Sequence, residues 1–349
     1  MAMSPQTLIV NDVLENADLQ GASLAGTDFS GIHFLNVDFQ SADLSNVDFS
    51  NARFENCDLS AALLDGARFA MAALTNVKMT GAQLPRADFS TAELRAADLS
   101  NANLHEADLS TSLFDACTLD NADLQGVNLQ SARMSACSLN GTVLKDANLT
   151  RWMVLESDLS AAVFSGCNMG QVMLMNTNLA GQRFPDCDLN QALFTEANLQ
   201  GADFSGMTLS HTVFAKAVLK GANLSKVTAT HANFALADLT AASLSDSSFQ
   251  ECEFAQATLD QAAARGSTWR FINFAHVQAR RSVWDNAFLE FCDLSHGSLD
   301  DASLRNARLR LCNLHQLSEE GTIWEGTAFK STQRTDAVRQ QAENWQPPA

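Results

Sequence analysis

Eight cysteines, seven histidines and forty acidic residues are the side chains of this chain best suited to holding a metal, attacking a carbonyl or moving a proton. The cysteines stand at positions 57, 117, 137, 167, 187, 252, 292 and 312, and each falls in one slot of a five-residue frame, a slot usually given to alanine. A residue that shares its position with alanine acts there as a small hydrophobe, so free, buried thiols in a reducing compartment are expected. Cys117/Cys137, Cys167/Cys187 and Cys292/Cys312 are twenty apart, with side chains expected to run parallel, which suits a disulfide poorly. His211/His231 and His276/His296 are also twenty apart, at expected exposed corners. Two imidazoles fall short of the three or four ligands a metal needs, although Glu251 continues the first column. Gly-rich phosphate loops, zinc spacings and nucleophile elbows are absent from the sequence. Catalytic, cofactor-binding and metal residues are therefore expected to be none, and an enzyme is disfavoured.

What must position these side chains is a repeat. From Leu14 to Leu314 in steps of five there are 61 positions, and Leu, Phe or Met fills 55 of them. The exceptions are Val154, Ala229, Ala264, Trp269, Ala279 and Trp284. Two residues before each stands something small, and between the two a polar residue, most often Asp or Asn. A period of five keeps no face of a 3.6-residue helix apolar, and a long strand repeats every two. A three-residue strand pointing in, out and in, followed by a two-residue corner, fits. Its corners are rich in Gly, Ser, Asn and Ala. Phe194, Phe214, Phe234, Phe254 and Phe274 recur every twenty residues, as do Phe29, Phe49, Phe69 and Phe89, which reads as four faces per coil.

The repeated unit, as in Ala17-Asp18-Leu19 and Ala197-Asn198-Leu199, resembles the pentapeptide-repeat family over roughly residues 12 to 330. The resemblance implies an all-β fold, a right-handed quadrilateral β-helix of about 16 coils of 20 residues. Residues 1–11 are expected to form an N-terminal cap, 12–330 the β-helix, and 331–349 a C-terminal tail with a short helix. Thr335 is the expected N-cap of that helix, with Val338, Ala342 and Trp345 on one face and an end near Pro347 and Pro348. Stacked at the ~4.8 Å strand separation, the coils would make a rod on the order of 75 Å long. Each inward Leu or Phe would contribute roughly 1.5–3 kcal/mol, nearly all of it offset by chain entropy. Members of the family that this chain resembles bind DNA gyrase or topoisomerase IV as DNA mimics and dimerise through their C-terminal ends. The chain is longer than those and shows no loop insertions.

Charge and exposed apolar residues supply the remaining functional signal. The net charge is −18, which disfavours direct nucleic-acid binding, since phosphates call for Lys and Arg. No apolar run reaches the ~18 residues of a membrane span. Residues Met1 to Gln6 lack bases and Leu8 to Val10 is too short for a secretory core, so a cytoplasmic location is expected. Residues 1–125 hold 18 acids and 5 bases, residues 126–260 hold 12 and 7, and residues 261–349 hold 10 of each. Asp18/Asp38/Asp58, Asp28/Asp48 and Asp88/Asp108 would stack as an acidic face, costing stability unless corner hydrogen bonds offset it. Met153, Met173, Leu193 and Val213 share an outward column and are the expected partner-binding residues, with Val143 and Val163 beside them. Phe271, Phe291 and Leu311, flanked by Arg270 and Arg310, form a second column, expected to be covered by the C-terminal helix with Trp345 or to join a homodimer.

Three readings follow. The first is a rigid, non-enzymatic protein–protein interaction scaffold, acidic over its N-terminal two-thirds. The second is a DNA mimic that binds or protects a type II topoisomerase. The third is an accessory or effector protein of a bacterial toxin-delivery system.

Overall fold

The computed structural model describes residues 9–345. They divide into two compact units: residues up to Asn178 together with Phe184–Asp188, and Leu179–Arg183 together with Leu189 onward. Each unit is a parallel β-solenoid with four five-residue sides per coil, and the described chain makes about sixteen coils in all. In the first unit an eight-stranded parallel sheet runs from Val13–Glu15 through His33–Leu35 and Arg53–Glu55 to Met153–Leu155, each strand paired with the one twenty residues on. In the second unit seven strands, from Thr208–Ser210 to Ala328–Lys330, pair in the same way. The remaining sides are held by single parallel bridges such as Asp38↔Asp58 and Asn233↔Glu253, and in one place by a two-stranded sheet, Val143–Lys145 with Val163–Ser165.

The large residue of each pentad and the small one two positions earlier point inward and are buried, while the polar residue between them faces out. The strand register differs from the expectation by one residue. Where the extended triplet is complete it is centred on the large residue, as in Arg53–Glu55 around Phe54, rather than ending on it. The ladder continues one step further there, because the N–H of Asn36 bonds the carbonyl of Glu55 at 2.9 Å. On the other sides a tight turn, such as Ala42 N–H to the Phe39 carbonyl at 3.0 Å, ends the strand sooner. Both corners need the last residue of the pentad in the left-handed region. Asn36, Asn56 and Asn76 adopt φ of 53°, 54° and 53°. Asn tolerates that region better than other side chains do.

Like side chains stack from coil to coil. In the first unit Phe69 lies on Phe89 at 4.5 Å and 4°; in the second, Phe214 lies on Phe234 at 4.8 Å and 13°. Five of the six exceptions to the Leu/Phe/Met rule, all but Ala229, fall beside a tryptophan and read as volume exchanges. Trp152 occupies a small slot, and the following large position is reduced to Val154. Its indole N–H finds no acceptor among the described residues. Trp269 and Trp284 instead occupy large positions, and the large position before each is reduced to Ala264 and Ala279. Their indole N–H groups donate to Ser267 at 2.6 Å and Ser282 at 2.7 Å, and each serine hydroxyl passes the bond to the carbonyl of that alanine.

The ends of the units are closed by polar devices. Val10 and Val13 exchange N–H···O bonds at 3.0 Å across a turn in which Asn11 and Asp12 have φ of 50° and 59°. The rest of the expected N-terminal cap, residues 1–8, lies outside the described residues, as does the expected helix end at Pro347 and Pro348. In the last coil of the second unit Arg334, ion-paired with Glu319, lays its guanidinium over Trp324 and Phe329 at 5.5 and 5.1 Å. A guanidinium over an aromatic face attracts the ring while keeping contact with water. The C-terminal helix, α1, spans Ala337–Glu343 and buries none of its residues.

Ser267→Ala tests the indole relay. It leaves a donor unpaired in the core, which costs about 1–3 kcal/mol. Urea unfolding of the variant is expected to show that loss; a change under about 0.5 kcal/mol would mean the serine merely fills space.

Candidate functional site

The second unit carries an exposed apolar array on its sheet. Its strands Thr268–Arg270, Phe288–Glu290 and Arg308–Arg310 end in corners occupied by Phe271, Phe291 and Leu311, with φ of 55°, 54° and 54°. Bulky residues in that region are strained. These three are also exposed, at 50%, 44% and 38%. Phe271 and Phe291 stack at 4.9 Å and 6°. Glu290 pairs with Arg270 at 3.3 Å and with Arg310, and Arg270 also lies 5.5 Å over Phe288. The corresponding corner of the first unit begins with asparagines at 16, 36, 56 and 76 and continues with Ala96, Ala116, Ala136 and Glu156. Asn36 donates to Asn16 at 3.1 Å and Asn76 to Asn56 at 3.2 Å, so amides satisfy one another along the stack. The expected cover of Phe271, Phe291 and Leu311 by the helix is therefore corrected: helix α1 leaves them exposed, and Trp345 lies exposed beside Val338 and Ala342.

The other apolar column is less open than its sequence suggests. Met153 and Met173 pair in the first unit, Leu193 and Val213 in the second, and all four are half-buried. In the first unit Met153 lines a groove of about 350 Å³ with Leu113, Leu155, Met134, Arg95 and Arg133. Leu113 and Leu155 went unnoticed in the sequence, although Leu113 stands forty residues before Met153 in the same column. Val143 and Val163 pair beside it, and Val163 is exposed.

The aspartates of the first unit are committed locally. Asp18, Asp28, Asp38, Asp48, Asp58, Asp88 and Asp108 each accept the backbone N–H two residues on, at 2.8–3.1 Å. This bond fixes the corner and, with the Ser30 hydroxyl, holds the Asp28 carboxyl below its ordinary range. Bases interrupt the columns. Arg68 follows Asp48 at 3.3 Å and Lys78 follows Asp58 at 4.0 Å, so the acidic face is a set of short stacks with cationic rungs.

Family models decide what the repeat is. Residues 47–124 and 155–224 match the pentapeptide repeat region, and residues 13–51, 232–268 and 272–316 match pentapeptide repeats (8 copies). The chain belongs to the pentapeptide-repeat family. Among solved structures it is similar to a trypsin-treated variant of QnrB1, a plasmid-mediated fluoroquinolone resistance protein, at 19% identity. That match covers 50% of this chain and 88% of the other, with a TM-score of 0.39. It is similar to HetL, a pentapeptide repeat protein involved in heterocyst differentiation regulation from the cyanobacterium Nostoc sp. strain PCC 7120, at 21% identity, covering 92% and 91% with a TM-score of 0.23. It is also similar to Rfr23 from the cyanobacterium Cyanothece 51142, at 22% identity, covering 45% and 95% with a TM-score of 0.19. No curated protein matches the chain. Among the described residues no helix is long and apolar enough to cross a membrane.

Within this pentapeptide-repeat scaffold the thiols are structural donors. Cys57, Cys117, Cys137, Cys167, Cys252, Cys292 and Cys312 are buried, and each donates to the carbonyl 23 residues earlier, always that of the central residue of a three-residue strand. Thr332 makes the same bond to Leu309, so the slot rewards any small donor. Burial pushes the Cys57 and Cys252 thiols up to about 11. Cys187 is the half-buried exception.

One cluster was missed by sequence reasoning: His296, His315 and Glu343 bring their ligand atoms within 4.8 Å of one another. His315 is 2% exposed. Its Nδ1 accepts the backbone N–H of Asp336 at 3.2 Å, so the ring proton resides on Nε2 and donates to Glu343 at 3.0 Å. A nitrogen that carries the proton offers no lone pair to a cation, so the arrangement is a clasp and not a metal centre. Gln316 at 2.6 Å and Arg339 at 2.7 Å complete it. Asp336, not Thr335, is the N-cap of α1, accepting from Val338 and Arg339; the Thr335 hydroxyl is turned to the N–H of Gln316. His211/His231 and His276/His296 stack at 4.8 and 5.0 Å, with His231 3.5 Å from Glu251.

Two outcomes follow from these environments. Hydrogen bonds from His315 and then Arg339 hold the Glu343 carboxyl down at about 2, from an ordinary 4.5. A depressed carboxyl stabilises the docked helix above its ordinary pKa and loses that contribution as pH falls from about 4.5 to about 2. Hydrogen exchange is expected to show residues 337–343 losing protection across that window; constant protection down to pH 2 would contradict the clasp. Cys57 and Cys252 are expected to resist alkylation at pH 8 in the native protein and to react on unfolding. Their rapid native labelling would contradict the burial account.

Proposed function

We propose that the chain is a non-enzymatic protein-interaction scaffold whose docking face is the Phe271–Phe291–Leu311 ladder of the second unit. One observation carries this reading: three successive corners keep bulky apolar residues where the backbone disfavours them and where water meets them. Two local penalties at the same positions are retained for contact with something else. The inward side of every coil is filled by Leu, Phe and small residues, so the scaffold offers surfaces rather than an enclosed reaction chamber. The half-buried groove around Met153 would serve as a smaller secondary contact.

A second reading directs the acidic first unit at a type II topoisomerase, as a duplex-like charge array. What favours it is the crowding of acids into residues 1–125, net −13. The cationic rungs Arg68 and Lys78 and the local bonding of the aspartates weigh against it.

The ladder reading is tested by affinity capture from the native host with the unaltered chain and with Phe271→Asn/Phe291→Asn/Leu311→Asn. A partner retained by the first and lost by the second is expected. Identical captures would overturn the assignment, and salt-sensitive inhibition of gyrase supercoiling that the triple variant retains would favour the second reading.

A further inference from the structure

The face that presents the ladder also gathers positive charge in a chain of net −18. Arg270, Arg308, Arg310 and Lys330 stand on its strands against Glu290, with Glu251 at the corner one rung before Phe271 and paired with His231. Glu290 is engaged by Arg270 and Arg310, whereas Arg308 and Lys330 are exposed and have no ion-pair partner among the described residues. The face therefore calls for an occupant with negative charge as well as apolar side chains.

Ring geometry narrows the choice. Phe271 and Phe291 lie parallel at 4.9 Å, so one face of each is taken by the other. Single-stranded nucleic acid binds by stacking bases on free aromatic faces, and this mutual stack leaves fewer of them. Ring edges carry the positive end of the aromatic quadrupole and favour carboxylates. The rung spacing of 4.9 Å is close to the ~5.4 Å rise of one helical turn, so side chains at i, i+4 and i+7 of a helix meet successive rungs.

We propose that this face binds an acidic amphipathic helix of a partner protein, its apolar stripe on Phe271, Phe291 and Leu311 and its carboxylates on Arg308 and Lys330. This rests on the scaffold reading and adds the chemistry of the partner. The same corner in the first unit carries no bulky apolar residue: the stacked amides of Asn16, Asn36, Asn56 and Asn76 are followed by Ala96, Ala116, Ala136 and Glu156.

The test uses the full chain and two labelled helical peptides of equal length, each with a leucine stripe at that spacing, one flanked by glutamate and one by lysine. Fluorescence anisotropy is expected to show the glutamate peptide binding at least about tenfold more tightly, with an affinity that falls as salt rises. Arg308→Glu/Lys330→Glu is expected to reverse the preference. Phe271→Asn/Phe291→Asn is expected to weaken the glutamate peptide about tenfold while Tm holds or rises, which separates lost contact from lost fold. No preference for glutamate, a preference that survives charge reversal, or tighter binding of an oligothymidine probe would each overturn the proposal. If the triple corner variant loses its captured partner while the glutamate peptide shows no preference, the scaffold reading stands and the acidic partner falls.

Discussion

The left-handed residue that closes each pentad is the constraint on which everything else depends. Five residues are enough for one short side only if the fifth reverses the chain's direction without a longer loop, and for an L-residue that means φ near +55°. Once this turn is made every five residues, the large side chain must point inward, the residue before it outward, and each coil must sit on the last. Parallel pairing then follows, because residue n always meets residue n + 20. The corner is thus where sequence and function compete. Asparagine and glycine satisfy it locally, and any other residue there is retained for a different reason or tolerated at a cost.

Stability is distributed from coil to coil rather than concentrated in one core. Each layer contributes its stacked rings and leucines, the ladder bonds of its four sides and its corner bonds, and it touches only the layers on either side. This is why a tryptophan can be accommodated by trimming one neighbour to alanine and adding one serine, with no wider rearrangement. It is also why aspartate is so frequent without forming a continuous acidic wall. Its main task is to accept the N–H two residues on, and bases such as Arg68 and Lys78 are inserted where stacks would otherwise grow.

Much of this was legible in the sequence because a fixed period converts position into geometry. The inward slots, the four sides, the phenylalanine stacks and the burial of the cysteines all follow from counting in fives and twenties. Arg68 and Lys78 were legible by the same count, in the columns of Asp48 and Asp58. The strand boundaries were not, since a one-residue shift depends on whether the next bond is a turn or a ladder step. The clasp was hidden because His315 and Glu343 are 28 residues apart, outside the period. The closure by Arg334 over Trp324 and Phe329 is likewise aperiodic, and the apolar face of the terminal helix drew attention away from it. Exposure of the Met153 column was overestimated because its neighbours, including Leu155, shelter it.

Deleting part of the second unit tests the four-sided winding most directly. Removing residues 216–235 takes out one whole coil, so Phe214 should stack on Phe254 and every column continue. Removing residues 216–220 takes out one side, so every later column moves to the next face and phenylalanines meet unmatched neighbours. Urea unfolding followed by circular dichroism should show the longer deletion folded and cooperative, and the shorter one markedly less stable. If the five-residue deletion proves as stable as the twenty-residue one, or the more stable of the two, the chain does not wind in coils of twenty.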